Sequence, residues 1–285
     1  MTRFLRQTLS TLTYRALQRR NGQAQGLRIL MYHRVTDAHP RDRLCVPIAR
    51  FAEQMQFLQE AGYESVTFAQ AVAWVTHGAT LPPRAVAITF DDGFEDNFLY
   101  AYPALTRHHF TGCFFIPSGF IAAGQAPTLR PEDWPMTWAQ LKELVQHGHE
   151  IGAHSVTHRK LAHLALEEVR REVQQSKAAL EQQLEWPVEF FCYPAGDYTA
   201  AVKDAVQASG YRGACTVEPG ANHPQEDPLA LKRTEVSAFD SLWDFEKKLA
   251  GAYDWMHIAA QTLQHLKPTR ECTNAVEGRK LEVGS

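Results

Sequence analysis

The chain has 285 residues, 45% hydrophobic and 21% charged, with a formal net charge of −3 at pH 7; this is the composition of a globular protein with a sizeable core. The balance gives no reason to expect a nucleic-acid partner, and no run approaches the roughly 18 apolar residues of a membrane span. Five cysteines at irregular spacing argue against a disulfide framework and favour a reducing compartment.

Residues 1–26 form a basic segment. Phe4, Leu5, Leu9, Leu12 and Leu17 recur at roughly helical spacing among Arg3, Arg6, Arg15, Arg19 and Arg20. The segment lacks the apolar core of about 7–15 residues that marks a secretory signal. The expected location is therefore cytoplasmic, or peripheral on the inner membrane face. Two readings stand side by side: a basic helix resting on an anionic membrane surface, or a helix packed on the main body with its arginines in water.

From residue 27 onward, strand-like and helix-like segments alternate. A strand at 28–33 is followed by a helix at 48–61, where Phe51, Met55, Leu58 and Ala61 share one side. Strands at 63–67, 85–90 and 111–116 enclose a helix at 96–107. Helices at 137–147, 166–185, 199–209 and 240–250 alternate with strands at 149–153, 188–193, 211–216 and 230–236. Several strands are nearly all apolar, as parallel strands buried on both faces are. The order predicts an α/β fold with a mostly parallel sheet of about eight strands, open or closed into a barrel. One catalytic domain is expected over 27–266, followed by a poorly ordered tail at 267–285.

Chemistry-bearing residues fall where these strands end. His33 ends the first strand. Asp91 and Asp92, in Thr89-Phe90-Asp91-Asp92-Gly93, end the third. His154 follows Glu150-Ile151-Gly152-Ala153, with His158 four residues on. Tyr193-Pro194-Ala195-Gly196 follows another strand, and Arg233 lies within or just beyond the last. An isolated Asp-Asp-Gly is an ordinary turn or helix cap. So many coincidences at strand carboxyl ends, where parallel α/β folds gather their ligands, point to a site instead. Two imidazoles and one carboxylate make a zinc-type set that leaves a position for water. A second carboxylate is then free to take that water's proton. The residues alone do not say which aspartate plays which part.

In combination these motifs resemble the polysaccharide deacetylases, the NodB-homology domain of carbohydrate esterase family 4, from about Leu27 to Leu249. The resemblance implies a distorted (β/α) barrel of about seven to eight mostly parallel strands. It implies a divalent-metal-dependent hydrolase that removes acetyl groups from N-acetylated amino sugars of a polysaccharide or lipid-linked glycan. By the same resemblance Asp91 is the general base, and Asp92, His154 and His158 hold the metal. Zn²⁺ is the first choice, with Ni²⁺, Co²⁺ and Mn²⁺ as alternatives. The backbone N–H of Ala195 holds the oxyanion, and Tyr193, Pro194, Gly196 and Trp138 lie beside the substrate. Trp134, Trp138 and Tyr198 are candidate platforms for sugar rings, and residues 120–136 a candidate rim loop.

Two departures from the family pattern stand out. Cys192 occupies a position where many members carry an arginine that steadies the base, and Arg233 is the expected replacement. The usual catalytic-acid histidine near the domain's end has only a poor counterpart in His257. The opening Leu30-Met31-Tyr32-His33 is instead similar to the permuted branch that includes the poly-β-1,6-N-acetylglucosamine deacetylases, which assigns the acid role to His33. The alternatives are the same chemistry on another acyl group, such as formyl, and a non-catalytic glycan-binding domain. A two-carboxylate glycosidase fits poorly, because adjacent aspartates cannot flank a sugar. The sequence is silent on oligomeric state.

Overall fold

The computed structural model describes residues 9–14, 26–123 and 129–254. His257, the tail at 267–285 and most of the basic N-terminal segment lie outside these residues. Among the described residues there are ten strands: β1 (Arg28–Tyr32), β2 (Arg34–Val35), β3 (Cys45–Val46), β4 (Glu64–Ser65), β5 (Ala85–Phe90), β6 (Cys113–Ile116), β7 (Glu150–Ala153), β8 (Phe190–Cys192), β9 (Gly213–Cys215) and β10 (Thr234–Glu235). Besides a helical stretch at residues 9–14, the described α-helices are α1 (Ile48–Glu60), α2 (Phe68–His77), α3 (Tyr102–Arg107), α4 (Ser118–Ala123), α5 (Trp138–Gln146), α6 (Leu166–Leu184), α7 (Ala200–Ala208) and α8 (Leu242–Leu249).

The main sheet runs β10-β1-β5-β6-β7-β8-β9, and every ladder in it is parallel. β4 pairs with the start of β5, while β6 pairs with its end. One segment joins the two edges of this curled sheet. Leu231 bridges to Cys215 of β9, and three residues later Thr234 pairs with Leu30 of β1. The strand expected over 230–236 is thus two short contacts with opposite edges, and Arg233 lies between them. The small pair β2–β3 was not expected from the sequence. The helix expected over 96–107 is a π turn at Asn97–Ala101 running into α3.

Strand side chains alternate between two packed layers, as the period-2 geometry of a strand dictates. Leu30, Tyr32, Ile88, Phe90, Phe114 and Phe191 join the layer shared with most helices. Ile29, Ala87, Cys113, Phe115, Cys192 and Cys215 face the opposite way, where α2 closes the layer with Phe68, Val72 and Val75. By the same alternation Thr89 and Asp91 follow Ala87, and Arg233 follows Leu231. The polar residues beyond the strand ends therefore continue the smaller layer. The apolar character of both layers explains why these strands lack the polar alternation of a sheet with one wet face.

α2 begins on a carboxylate from another strand. Glu150, the first residue of β7, accepts hydrogen bonds from the N–H groups of Phe68 and Ala69. Burial pushes its carboxyl up to about 7, against the two N–H donors that pull it down. A folded-state pKa above the ordinary value of 4.5 gives stability that is fully present below about 4.5 and lost as pH rises through about 7. The expected loss is roughly 3 kcal/mol. Urea unfolding of the wild type should weaken between about pH 5 and 8, while Glu150→Gln should lose less stability over that window. Equal pH dependence in both proteins would show that Glu150 is not held protonated.

Candidate active site

The two aspartates leave the end of β5 on a sharply bent backbone. Asp92 has φ 71° and Gly93 φ 67°, left-handed conformations that aspartate tolerates and glycine favours. The bend sends adjacent carboxylates to different partners. The Asp91 backbone N–H donates to the Tyr32 carbonyl at 3.0 Å, which ties it to β1. Its side chain is buried and gripped by Arg233 in a two-pronged pair: Nη1 donates to Oδ1 and Nη2 to Oδ2, each at 2.7 Å. Arg233 is itself fully buried and also donates to Thr89 Oγ1 and the Thr216 carbonyl. Burial pushes the Asp91 carboxyl up, but the Arg233 charge and hydrogen bonds, aided by His154 and His33, hold it below the ordinary range. Asp91 is therefore an ionised carboxylate with fixed orientation.

Asp92 turns the other way, toward two imidazoles. Its Oδ1 stands 3.2 Å from His158 Nε2 and 3.6 Å from His154 Nε2. That oxygen is buried and has no hydrogen-bond partner. His154 is fixed from behind, since its Nδ1 lies 2.7 Å from the Cys192 carbonyl. Donation to that carbonyl leaves Nε2 with its lone pair aimed at Asp92, the arrangement that orients a metal-ligating histidine. The Asp92, His154 and His158 ligand atoms all lie within 4.8 Å of one another. A buried orphan oxygen facing two imidazole nitrogens fits a divalent cation. Asp91, His154 and Cys192 meet the same spacing. Arg233 already occupies both Asp91 oxygens, so the set around Asp92 fits a cation better.

The turn between the two histidines is built from the side. His154 N–H donates to the Ile116 carbonyl at the end of β6. Ser155 and His158 have φ 62° and 57°, and the Ser155 hydroxyl accepts the His158 N–H. Glu172, on α6, accepts from the N–H groups of Val156 and Thr157 and from the Thr157 hydroxyl. Glu172 escaped the sequence reading. Its signal was an acid on the buried stripe of α6, flanked by Val169, Val173 and Ser176. Cys192, which departs from the family pattern, is a neighbour of the Asp91–Arg233 pair; its Sγ lies 3.1 Å from Arg233 Nη2.

His33 stands on the other flank of Asp91, with Nε2 at 4.0 Å from Oδ2. Its Nδ1 is buried without a hydrogen-bond partner, and its carbonyl accepts from the Asn97 side chain at the π turn. The Tyr193–Gly196 loop leaves β8 in left-handed turns, with φ 55° at Ala195 and 67° at Gly196. A Cβ on Gly196 would sit 2.4 Å from the Val217 side chain and 2.9 Å from its backbone nitrogen, so glycine is required there. Tyr193 turns away from the site. Its side chain is fully buried, its hydroxyl donates to the Leu229 carbonyl, and its ring stacks on Tyr198 at 4.5 Å. Only its backbone serves the loop. Trp138 opens α5 and packs partly against the core. Trp134 has a buried indole N–H without a partner. The described part of the rim is strapped to the Asp-Asp-Gly turn: Met136 N–H donates to the Gly93 carbonyl, and Arg34 joins Asp96 to Asp133.

Known proteins share sequence and fold with the chain. A family model described as polysaccharide deacetylase matches residues 78–214. YxkH of Bacillus subtilis (strain 168), which carries the name of a polysaccharide deacetylase, is 30% identical over 211 residues, covering 74% of this chain and 71% of that protein. The poly-β-1,6-N-acetyl-D-glucosamine N-deacetylase of Escherichia coli K12 is 33% identical over 81 residues, 28% of this chain and 12% of its own length. Among solved structures, a Streptococcus pyogenes deacetylase, PplD, in complex with acetate superposes with a TM-score of 0.72 at 23% identity, covering 79% of this chain and 98% of that one. That likeness shows the shared fold.

Proposed function

The chain belongs to the polysaccharide deacetylase family, and on that premise we propose that it removes acetyl groups from N-acetylated amino sugars, using a divalent cation held by Asp92, His154 and His158. The observation that carries this reading is the orphaned Asp92 oxygen facing two imidazoles, with an arginine-clamped carboxylate beside it. A bound divalent cation supplies charge that makes water more acidic and draws electron density from an acyl carbonyl.

This chain's own residues do the rest. Asp91, held ionised and in one orientation, takes the proton from the attacking water. The N–H of Ala195, presented by the left-handed turn, donates to the oxygen that gains negative charge. His33, on the far flank of Asp91, gives its proton to the nitrogen as the C–N bond breaks. The products are acetate and a free amino sugar. The E. coli relative is named for acting on poly-β-1,6-N-acetyl-D-glucosamine, which makes an amino-sugar polymer the first substrate class to offer.

The test pairs cation binding with product release. Protein stripped by a chelator should release acetate from N-acetylglucosamine oligomers at background rate, and regain at least about 100-fold on addition of Zn²⁺. Calorimetry should count one cation per chain. Formate from N-formyl sugars, without acetate, would move the same residues to another acyl group. Absence of a bound cation would remove the proposed centre.

A further inference from the structure

We propose that the end of the barrel carrying the site sits on an anionic lipid surface, held there by the N-terminal helix and the exposed apolar side chains beside it. This rests on where the site lies, and not on which reaction it performs.

Residues 9–14 form a helix with an inverted face. Ser10 and Tyr14 point inward: Ser10 accepts from Lys247 at 3.2 Å, and the Tyr14 ring meets Trp243 edge-on at 4.9 Å while its hydroxyl donates to Glu246. The leucines point outward, with Leu9 39% and Leu12 57% exposed. A helix packed only for the core would show the opposite arrangement. Beside it Trp243 and Phe239 are also exposed, at 43% and 56%.

The position of these residues gives the surface a direction. Phe239 lies in the connection leaving β10 and Trp243 in the first turn of α8, at the strand ends that carry the site. Phe120 and Val217, exposed just after β6 and β9, lie at the same end. The Phe120 ring centroid is 6.3 Å from that of His158. Trp186, between α6 and β8, is an exposed aromatic at the opposite end.

Charge favours an anionic partner. Residues 1–26 hold five arginines and no aspartate or glutamate, in a chain of net charge −3. Three acids around the helix are already occupied: Asp240 pairs with Lys248, Asp244 with Lys247, and Glu246 accepts from Tyr14. Exposed leucine and tryptophan side chains in a chain whose N-terminal sequence is arginine-rich suit the headgroup boundary of a bilayer. No helix among the described residues is long and apolar enough to cross a membrane, so the contact is lateral.

The experiment is co-sedimentation of the full chain with vesicles of phosphatidylcholine alone, or mixed with phosphatidylglycerol, at low and high salt. Binding should require phosphatidylglycerol and weaken with salt. The pair Leu9→Ser and Leu12→Ser, both at exposed positions, should lower partitioning about tenfold with an unchanged circular dichroism spectrum. The triple change Arg15→Gln, Arg19→Gln and Arg20→Gln should lower it on the order of 100-fold. No binding to mixed vesicles at low salt would overturn the proposal, and so would equal binding by the leucine variant. A dimer that dissociates only in the leucine variant, without vesicle binding, would assign the patch to a second copy of the chain and overturn it as well.

Discussion

Asp91→Asn is expected to lower acetate release by about 10²–10⁴-fold, the usual worth of a positioned proton acceptor, while cation binding stays at wild-type stoichiometry. The two halves of this result separate the neighbouring aspartates. Asp91 Oδ1 and Oδ2 are both engaged by Arg233, whereas the orphaned oxygen belongs to Asp92. An asparagine keeps the size of the side chain and one oxygen acceptor for the guanidinium. The Thr216 carbonyl and Thr89 hydroxyl still hold the rest of Arg233. The ability to take a proton is removed together with the charge that balances the buried guanidinium, so a loss of stability should accompany the loss of rate. Asp92→Asn should give the converse pattern, with cation affinity lost first. A near-normal rate in Asp91→Asn would move the base elsewhere. Loss of the cation in that variant would make Asp91 part of the binding set instead.

The residues that meet at the candidate site were easier to read in the sequence than the sheet that brings them together. Asp91, Asp92, His154 and His158 were legible because each follows an apolar run, and polar residues at strand ends have few structural reasons to recur. Arg233 was placed near the last strand, but its contacts were beyond reach. They depend on one segment touching β9 at Leu231 and β1 at Thr234, long-range pairings that leave no local pattern. The same holds for β4, where only Glu64 and Ser65 make the ladder. Tyr193 misled for a related reason. A tyrosine in a loop motif reads as a ligand contact, whereas the fold spends it on the Leu229 carbonyl and the Tyr198 ring. Glu172 shows that supporting residues are the hardest to read, because its helix declares only a stripe and not what the stripe meets.

Arg233→Met is expected to destabilise the fold by about 3–5 kcal/mol, the effect of leaving one member of a buried ion pair alone. The Arg233 side chain is 0% and the Asp91 side chain 3% exposed, so water cannot replace the lost partner. Without the guanidinium, the largest influence holding the Asp91 carboxyl down is gone and burial pushes it up. The remaining activity should therefore need a higher pH, because the carboxylate must be ionised to accept a proton. Adding Asp91→Asn to Arg233→Met should recover part of the stability, since the buried charge is then removed together with its partner. A coupling of at least about 1 kcal/mol in that double-mutant cycle would show that the two side chains act as a unit. Arg233→Lys should fall between, keeping the charge but losing the fork that grips both oxygens. If Arg233→Met unfolds easily but the surviving fraction keeps its wild-type pH profile, Arg233 serves the barrel's closure and not the base. If stability and pH profile move together and return together in the lysine variant, closing the sheet and orienting the base are one interaction.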